Sequence, residues 1–210
     1  HFFSPVDKMK LVEIIRSEQT SDETLARAYD YVLALGKTPI VVNDSRGFFT
    51  SRVFGKYVME GAAMLAEGVP APLIERAAVM AGMPVGPLEV LDATALSLSV
   101  LVLDQTRADY AAEGRSYNAS TGELLVERMV KEFKRNGRAA GAGYYDYPAD
   151  GPKHLWPGLK THFEKPFDAD PLQAQEAIKQ RLLYRQAVET ARCLQERVLT
   201  SGHDANIGSI

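Results

Sequence analysis

A single cysteine, Cys193, occurs in 210 residues, so no internal disulfide can form and the framework of a small secreted scaffold is excluded. One thiol fits a reducing compartment, and a cytoplasmic location is expected. Positive charge is not in excess: 24 Lys and Arg against 27 Asp and Glu give a net charge of −3, which offers no general attraction to nucleic acid. Long apolar runs are also missing. The longest, near Ala93 to Leu103, is interrupted by Thr94, Ser97 and Ser99 and is too short to span a bilayer, so membrane insertion is not expected. No G-x-G-x-x-G follows a strand-like run, so these residues lack the phosphate-cradling turn of a dinucleotide-binding fold. His154, His162 and His203 have no metal-ligand spacing, and no metal is expected. The first residues show no charged-then-apolar leader.

What is present is the balance of a globular protein, 46% hydrophobic and 24% charged. Thr20-Ser21-Asp22-Glu23 reads as a capping box before a helix from Asp22 to Leu35, closed by Gly36. Ile40-Val41-Val42 is a short β-branched run and reads as a buried strand. Apolar residues from Val53 to Leu65 then recur at helical spacing up to Gly68. Pro72 opens a helix over Leu73 to Ala81, and Gly82 to Pro87 forms a defined turn before one apolar helix from Leu88 to about Tyr110. A further helix spans Leu124 to Phe133. Pro148 to Asp170, with four prolines and little periodicity, reads as a linker or an irregular packing arm, part of which Trp156 suggests docks on a surface.

Beyond Asp170 an amphipathic helix resumes and echoes the earlier one. Setting Arg52 on Arg181 also aligns Glu60 with Glu189, Ala62 with Ala191, Leu65 with Leu194 and Glu67 with Glu196. Chance similarity between two good helices and duplication both fit this pattern. The expected segments are 1–45, 46–148, a linker over 149–170, and the start of a second helical repeat over 171–210.

Chemistry concentrates at the start. His1 ends one extended segment and Glu13 lies on the next, with Ser4-Pro5-Val6-Asp7 as the turn between them, so the carboxylate can reach the ring. An imidazole steered by an acid is a general-base device. An ordinary chain end followed by a buried strand fits the same spacing. Asp44 to Arg52 joins the last strand to the long helix, where Ser45 or Thr50 can cap the helix or polar groups can face a cleft. Glu89 and Asp92, three apart at a helix start, read as structural, in the manner of dipole-favoured surface or capping groups.

The run His1-Phe2-Phe3-Ser4-Pro5 with Met9 to Ile14 resembles the catalytic segment of the 3-hydroxyacyl-CoA dehydrogenases, H-F-F-N-P-x-x-x-M-x-L-V-E-V. Gly47 to Arg52 resembles the family's P-G-F-x-x-N-R, with Arg46 in place of Pro and Ser51 in place of Asn. Gly86 to Asp92 resembles G-P-x-E-L-x-D, and Gly137 to Tyr145 the closing G-x-K-x-G-x-G-F-Y, with Ala139 in place of Lys.

The resemblance implies a mainly α fold. It comprises the C-terminal edge of a Rossmann-type α/β domain, an all-helical domain like the C-terminal part of 6-phosphogluconate dehydrogenase, and the start of a second helical repeat. It implies His1 as catalytic base, Glu13 as the acid orienting it, Ser51 near the substrate carbonyl, Ser4 at the cofactor junction, and NAD as cofactor. It also implies an acyl-CoA substrate, a homo-oligomer formed through the helical domain, and a possible thiolase subunit as partner.

Continuation past the closing segment is similar to multifunctional β-oxidation proteins, which also carry an enoyl-CoA hydratase region. The chain is therefore expected to be a piece of a bifunctional hydratase and dehydrogenase. A helical dimerisation module with a vestigial site, or a relative acting on another 3-hydroxy acid, are the alternatives. Lacking the phosphate-cradling turn, the isolated 210 residues are expected to show negligible dehydrogenase activity. Unaided turnover of acetoacetyl-CoA with NADH would contradict that.

Overall fold

A computed structural model describes residues 1–166 and 170–209. Residues 167–169 of the expected linker, and Ile210 at the end of the expected second repeat, lie outside the described residues. The chain folds as two compact units, one of His1–Gly55 with Gln186–Ile210 and one of Lys56–Arg185. The boundaries fall inside two long helices, whereas the segments expected from sequence divide at loops and turns.

In the first unit, strand β1 (Leu11–Arg16) pairs in parallel with β2 (Thr38–Asn43), Leu11 opposite Thr38 and Arg16 opposite Asn43. Helix α1 (Asp22–Ala34) connects them, as a parallel pair requires. Its N-cap is Ser21, whose side chain accepts the Thr24 N–H; the capping box expected from Thr20 and Glu23 is displaced by one residue and has no reciprocal Glu. Beyond β2, helix α2 (Thr50–Glu67) begins within this unit. The unit closes with the end of helix α8 (Pro171–Gln195) and with α9 (Gly202–Gly208). Ile40, Val42, Phe49, Val53, Cys193, Val198, Leu199 and Ala205 form its core. Asn43 fixes the returning chain, its backbone N–H donating to the Val198 carbonyl and its side-chain amide to the Arg197 carbonyl.

The second unit holds the rest of α2 with helices α3 (Ala71–Met80), α4 (Pro87–Ala93), α5 (Leu96–Ala112) and α6 (Thr121–Lys131). Strands β3 (Tyr145–Asp146) and β4 (His154–Leu155), helix α7 (Gly158–His162) and the first part of α8 follow. The single helix expected from Leu88 to Tyr110 is two. Thr94 turns its hydroxyl back on the Val90 and Leu91 carbonyls, Ala95 adopts a left-handed φ of 68°, and the Leu96 N–H donates to the Asn136 carbonyl. An apolar pattern continuous across Thr94 could not show that a distant carbonyl would take over the Leu96 N–H. The proline-rich stretch is a docked arm: β4 pairs with β3, Leu159 and Phe163 are buried, and Trp156 meets Phe133 edge-on at 5.2 Å.

Asp92 corrects the surface reading made from its position. It is fully buried and accepts from the Tyr144 and Tyr145 N–H groups at 2.7 and 2.8 Å and from the Tyr147 hydroxyl at 2.9 Å. Gly143 passes so close that any side chain there would overlap the Asp92 carboxylate. Glu75, also buried, accepts from the Leu88 N–H and the Tyr145 hydroxyl.

The helix echo has a physical counterpart in each unit. In the first, Arg52 donates to Glu189 and Glu196; in the second, Arg181 donates to Glu60 and Glu67. Each Arg thus bonds the two Glu residues that stand eight and fifteen positions after the other Arg. That reciprocity follows the Arg and Glu spacing that the two helices share.

Asp92→Ala leaves three donors without an acceptor, the Tyr144 N–H buried and those of Tyr145 and Tyr147 partly so, and is expected to lower unfolding free energy by about 3 kcal/mol. Urea denaturation checks this against exposed Asp104→Ala, expected to cost less than about 0.5 kcal/mol.

Candidate active site

The site is assembled within the first unit. His1 and Glu13 face each other in antiparallel register: the His1 main-chain nitrogen donates to the Glu13 carbonyl at 2.7 Å, and the Glu13 N–H donates to the His1 carbonyl at 3.1 Å. Phe2 bridges to Val12 in the same sense. This pairing follows the turn at Ser4 to Asp7, where the Pro5 carbonyl accepts from Lys8 and Met9. It brings imidazole Nδ1 to 2.6 Å from Glu13 Oε2. Phe3 and Phe48 flank the ring at 4.5 and 5.7 Å between centroids.

Glu13 has no exposed surface. Its Oε1 accepts the Phe49 N–H at 3.0 Å and the Thr50 N–H at 2.8 Å, and its Oε2 accepts the Thr50 hydroxyl at 2.8 Å as well as facing His1. The acid therefore caps α2, where the helix dipole and unsatisfied N–H groups favour negative charge. With donors on both oxygens it acts as an acceptor-only carboxylate. Nδ1 then carries a proton, and Nε2 is left as the basic nitrogen on a ring whose side chain is 30% exposed.

Ser51 is exposed on the first turn of α2 and is not among the donors to Glu13; its neighbour Thr50 is. Ser4 is exposed in the turn after His1. Sequence reasoning gives Thr50 only a capping role and misses Phe48. The x-x positions of the family motif are free in type, so the motif carries no signal for a hydroxyl there. Arg52, one turn into α2, is held by Glu189 and Glu196 of α8. Burial alone would lower its proton affinity, but the hydrogen bonds to Glu196 and Glu189 outweigh this and raise it. Cys193 lies beside this pair, and burial pushes its thiol up to about 11. Among the described residues, no cluster of His, Cys, Asp and Glu is suited to a metal, and no helix is long and apolar enough to cross a membrane.

The chain is similar to known proteins along its whole length. The family model for the NAD-binding domain of 3-hydroxyacyl-CoA dehydrogenase matches residues 1–45, and that for the C-terminal domain of the same enzymes matches residues 47–147. The chain belongs to the 3-hydroxyacyl-CoA dehydrogenase family. The fatty acid oxidation complex subunit alpha of Shewanella loihica is 32% identical over 221 residues, covering all of this chain and 29% of that protein. Among solved structures, an (S)-3-hydroxybutyryl-CoA dehydrogenase from Ralstonia eutropha is 32% identical with a TM-score of 0.61, over 70% of this chain and 51% of that one. The dehydrogenase part of multifunctional enzyme 1 from C. elegans shares the fold at 21% identity and a TM-score of 0.65, covering 100% of this chain and 46% of that one. The chain thus spans less than a third of its curated relative and about half of these structures. It has the fold expected of the family, a short Rossmann-type start followed by a helical domain.

Family membership implies NAD as cofactor. His1 and Ser4 are both exposed, while the sequence contains no G-x-G-x-x-G turn to cradle the pyrophosphate.

Glu13→Gln replaces one acceptor oxygen with a donor amide, so two of the surrounding donors lose their partner. It is expected to lower stability by about 2 to 4 kcal/mol in urea denaturation. A cost below about 0.5 kcal/mol would contradict the capping role.

Proposed function

We propose that the polypeptide carrying this chain oxidises 3-hydroxyacyl-CoA to 3-ketoacyl-CoA with NAD, as the dehydrogenase part of a bifunctional hydratase and dehydrogenase in fatty-acid β-oxidation. The observation that carries this is the 2.6 Å contact between His1 Nδ1 and a fully buried Glu13. Bound NAD supplies the hydride acceptor. His1 Nε2 takes the proton of the substrate hydroxyl as the C3 hydride leaves. Glu13 keeps the proton on Nδ1 beforehand and stabilises the imidazolium afterwards. Ser51 holds the thioester carbonyl, and Ser4 contacts the nicotinamide end of the cofactor.

The segments 1–45, 46–148, 149–170 and 171–210 are proposed as the end of the NAD-binding domain, the helical domain, the connecting arm and the start of a second repeat. The crossed Arg–Glu pairs support the repeat. Homo-oligomerisation through the helical domain is supported by an exposed apolar face on α5, formed by Leu98, Leu101 and Val102. The relative's designation as the alpha subunit of a complex supports a second subunit, for which a thiolase is proposed. The buried free thiol of Cys193 supports a reducing, cytoplasmic location.

His1→Gln in the full polypeptide is expected to reduce 3-hydroxyacyl-CoA oxidation by about a hundredfold to ten-thousandfold. The circular dichroism spectrum should stay unchanged, so that lost turnover is not lost folding. Unaltered turnover would favour a helical dimerisation module with a vestigial site.

A further inference from the structure

Thr50 places its hydroxyl on the same carboxylate oxygen that faces the imidazole. Glu13 Oε2 receives Thr50 Oγ1 at 2.8 Å and lies 2.6 Å from His1 Nδ1, whereas Oε1 is occupied by the Phe49 and Thr50 N–H groups. The two backbone donors on Oε1 cap the start of α2, while the hydroxyl shares Oε2 with the ring.

We propose that Thr50 is a positioning residue that sets the proton affinity of the His1–Glu13 pair, a role that rests on the dehydrogenase reading for its catalytic meaning. A hydroxyl donated to Oε2 draws charge from that oxygen, weakens its pull on the Nδ1 proton, and so stabilises the imidazolium less than an unshared oxygen would. Nε2 is then free to act as base at lower pH. Valine, of nearly the same shape, keeps the methyl packing and both backbone donors but leaves Oε2 to the ring alone.

Other charged groups near the pair do not titrate in its place. Cys193 on α8 faces Glu13 electrostatically, and burial holds its thiol up at about 11, so it is neutral across the working range. Arg52 on α2 lies beside Cys193 and pairs with Glu189 and Glu196 on α8, and Arg192 on α8 pairs with Glu189 in turn. The main-chain nitrogen of His1 bonds the Glu13 carbonyl in the same way whatever residue 50 is.

The test compares wild type, Thr50→Val, Thr50→Ala and Thr50→Ser by ¹⁵N NMR titration of the His1 ring, assigned with His1→Gln, and by the pH profile of kcat/KM in the full polypeptide. The Val and Ala variants should raise the apparent pKa of the ring by about half a unit to one unit, and Ser should restore it to within about 0.2. The rising limb of kcat/KM should move up by the same amount, giving about three- to tenfold less activity on that limb. Plateau activity should stay within about twofold, and KM should not change. A ring pKa unchanged in both the Val and Ala variants overturns the proposal. If the ring shifts as stated but the wild-type polypeptide oxidises no 3-hydroxyacyl-CoA, the dehydrogenase reading fails while the role of Thr50 in the pair stands.

Discussion

One buried carboxylate organises the first unit. Withdrawing Glu13 fully from water costs several kcal/mol, and hydrogen-bond donors on both oxygens offset that. The donors come from three places in the chain: the imidazole of His1, the N–H groups at the start of α2, and the Thr50 hydroxyl. None of these segments can move without leaving the charge partly unpaired. Chemistry and folding thus share a single group. The acid that orients the imidazole is also the cap of α2, so the ring is held over that helix by the same interaction that starts it.

The second unit repeats the device without the chemistry. Asp92 and Glu75 are buried carboxylates that take backbone N–H groups from other segments, Asp92 from Tyr144 and Tyr145, Glu75 from Leu88 and Glu89. Burial raises the proton affinity of both, opposed by those same hydrogen bonds. What separates them from Glu13 is their company. The side-chain donors that reach them are the phenol hydroxyls of Tyr145 and Tyr147, where Glu13 meets an imidazole. Buried acids joining loops to helices are therefore a general means by which this chain fixes turns, and the one beside His1 also holds an imidazole.

Much of this was legible in the sequence where a local rule decides the outcome. Ser21 and Gly36 bracket α1, β-branched residues mark β2, and the length of motif around His1 and Glu13 is too specific to arise from strand patterning alone. Readings failed where a distant partner decides. The break at Thr94–Ala95 depends on the carbonyl of Asn136, and the burial of Asp92 depends on Gly143 and the tyrosines fifty residues on. Neither is encoded in the helical period of Leu88 to Tyr110. Thr50 was visible as a hydroxyl at a helix start, but whether it would cap its own helix or bond Glu13 depends on where β1 lies.

The closing helices bear on the site more directly than a repeated appendage would. In the first unit Glu189 and Glu196 of α8 grip Arg52, two residues after Thr50, while Val198, Leu199 and Ala205 pack with Ile40, Val42 and Phe49. Gly208 of α9 approaches Ile40 and Phe49 so closely that a side chain there would collide with both. Phe49 is the residue whose N–H bonds Glu13. The path from α9 through Phe49 to the carboxylate is thus one of direct contact. Helix α8, which shares the Arg and Glu spacing of α2, supplies the counter-charges to Arg52 through Glu189 and Glu196. The matching Arg and Glu spacing of α2 and α8 thus accounts for the reciprocal ion pairs, and the pair on Arg52 holds the start of α2, whose N–H groups bond Glu13.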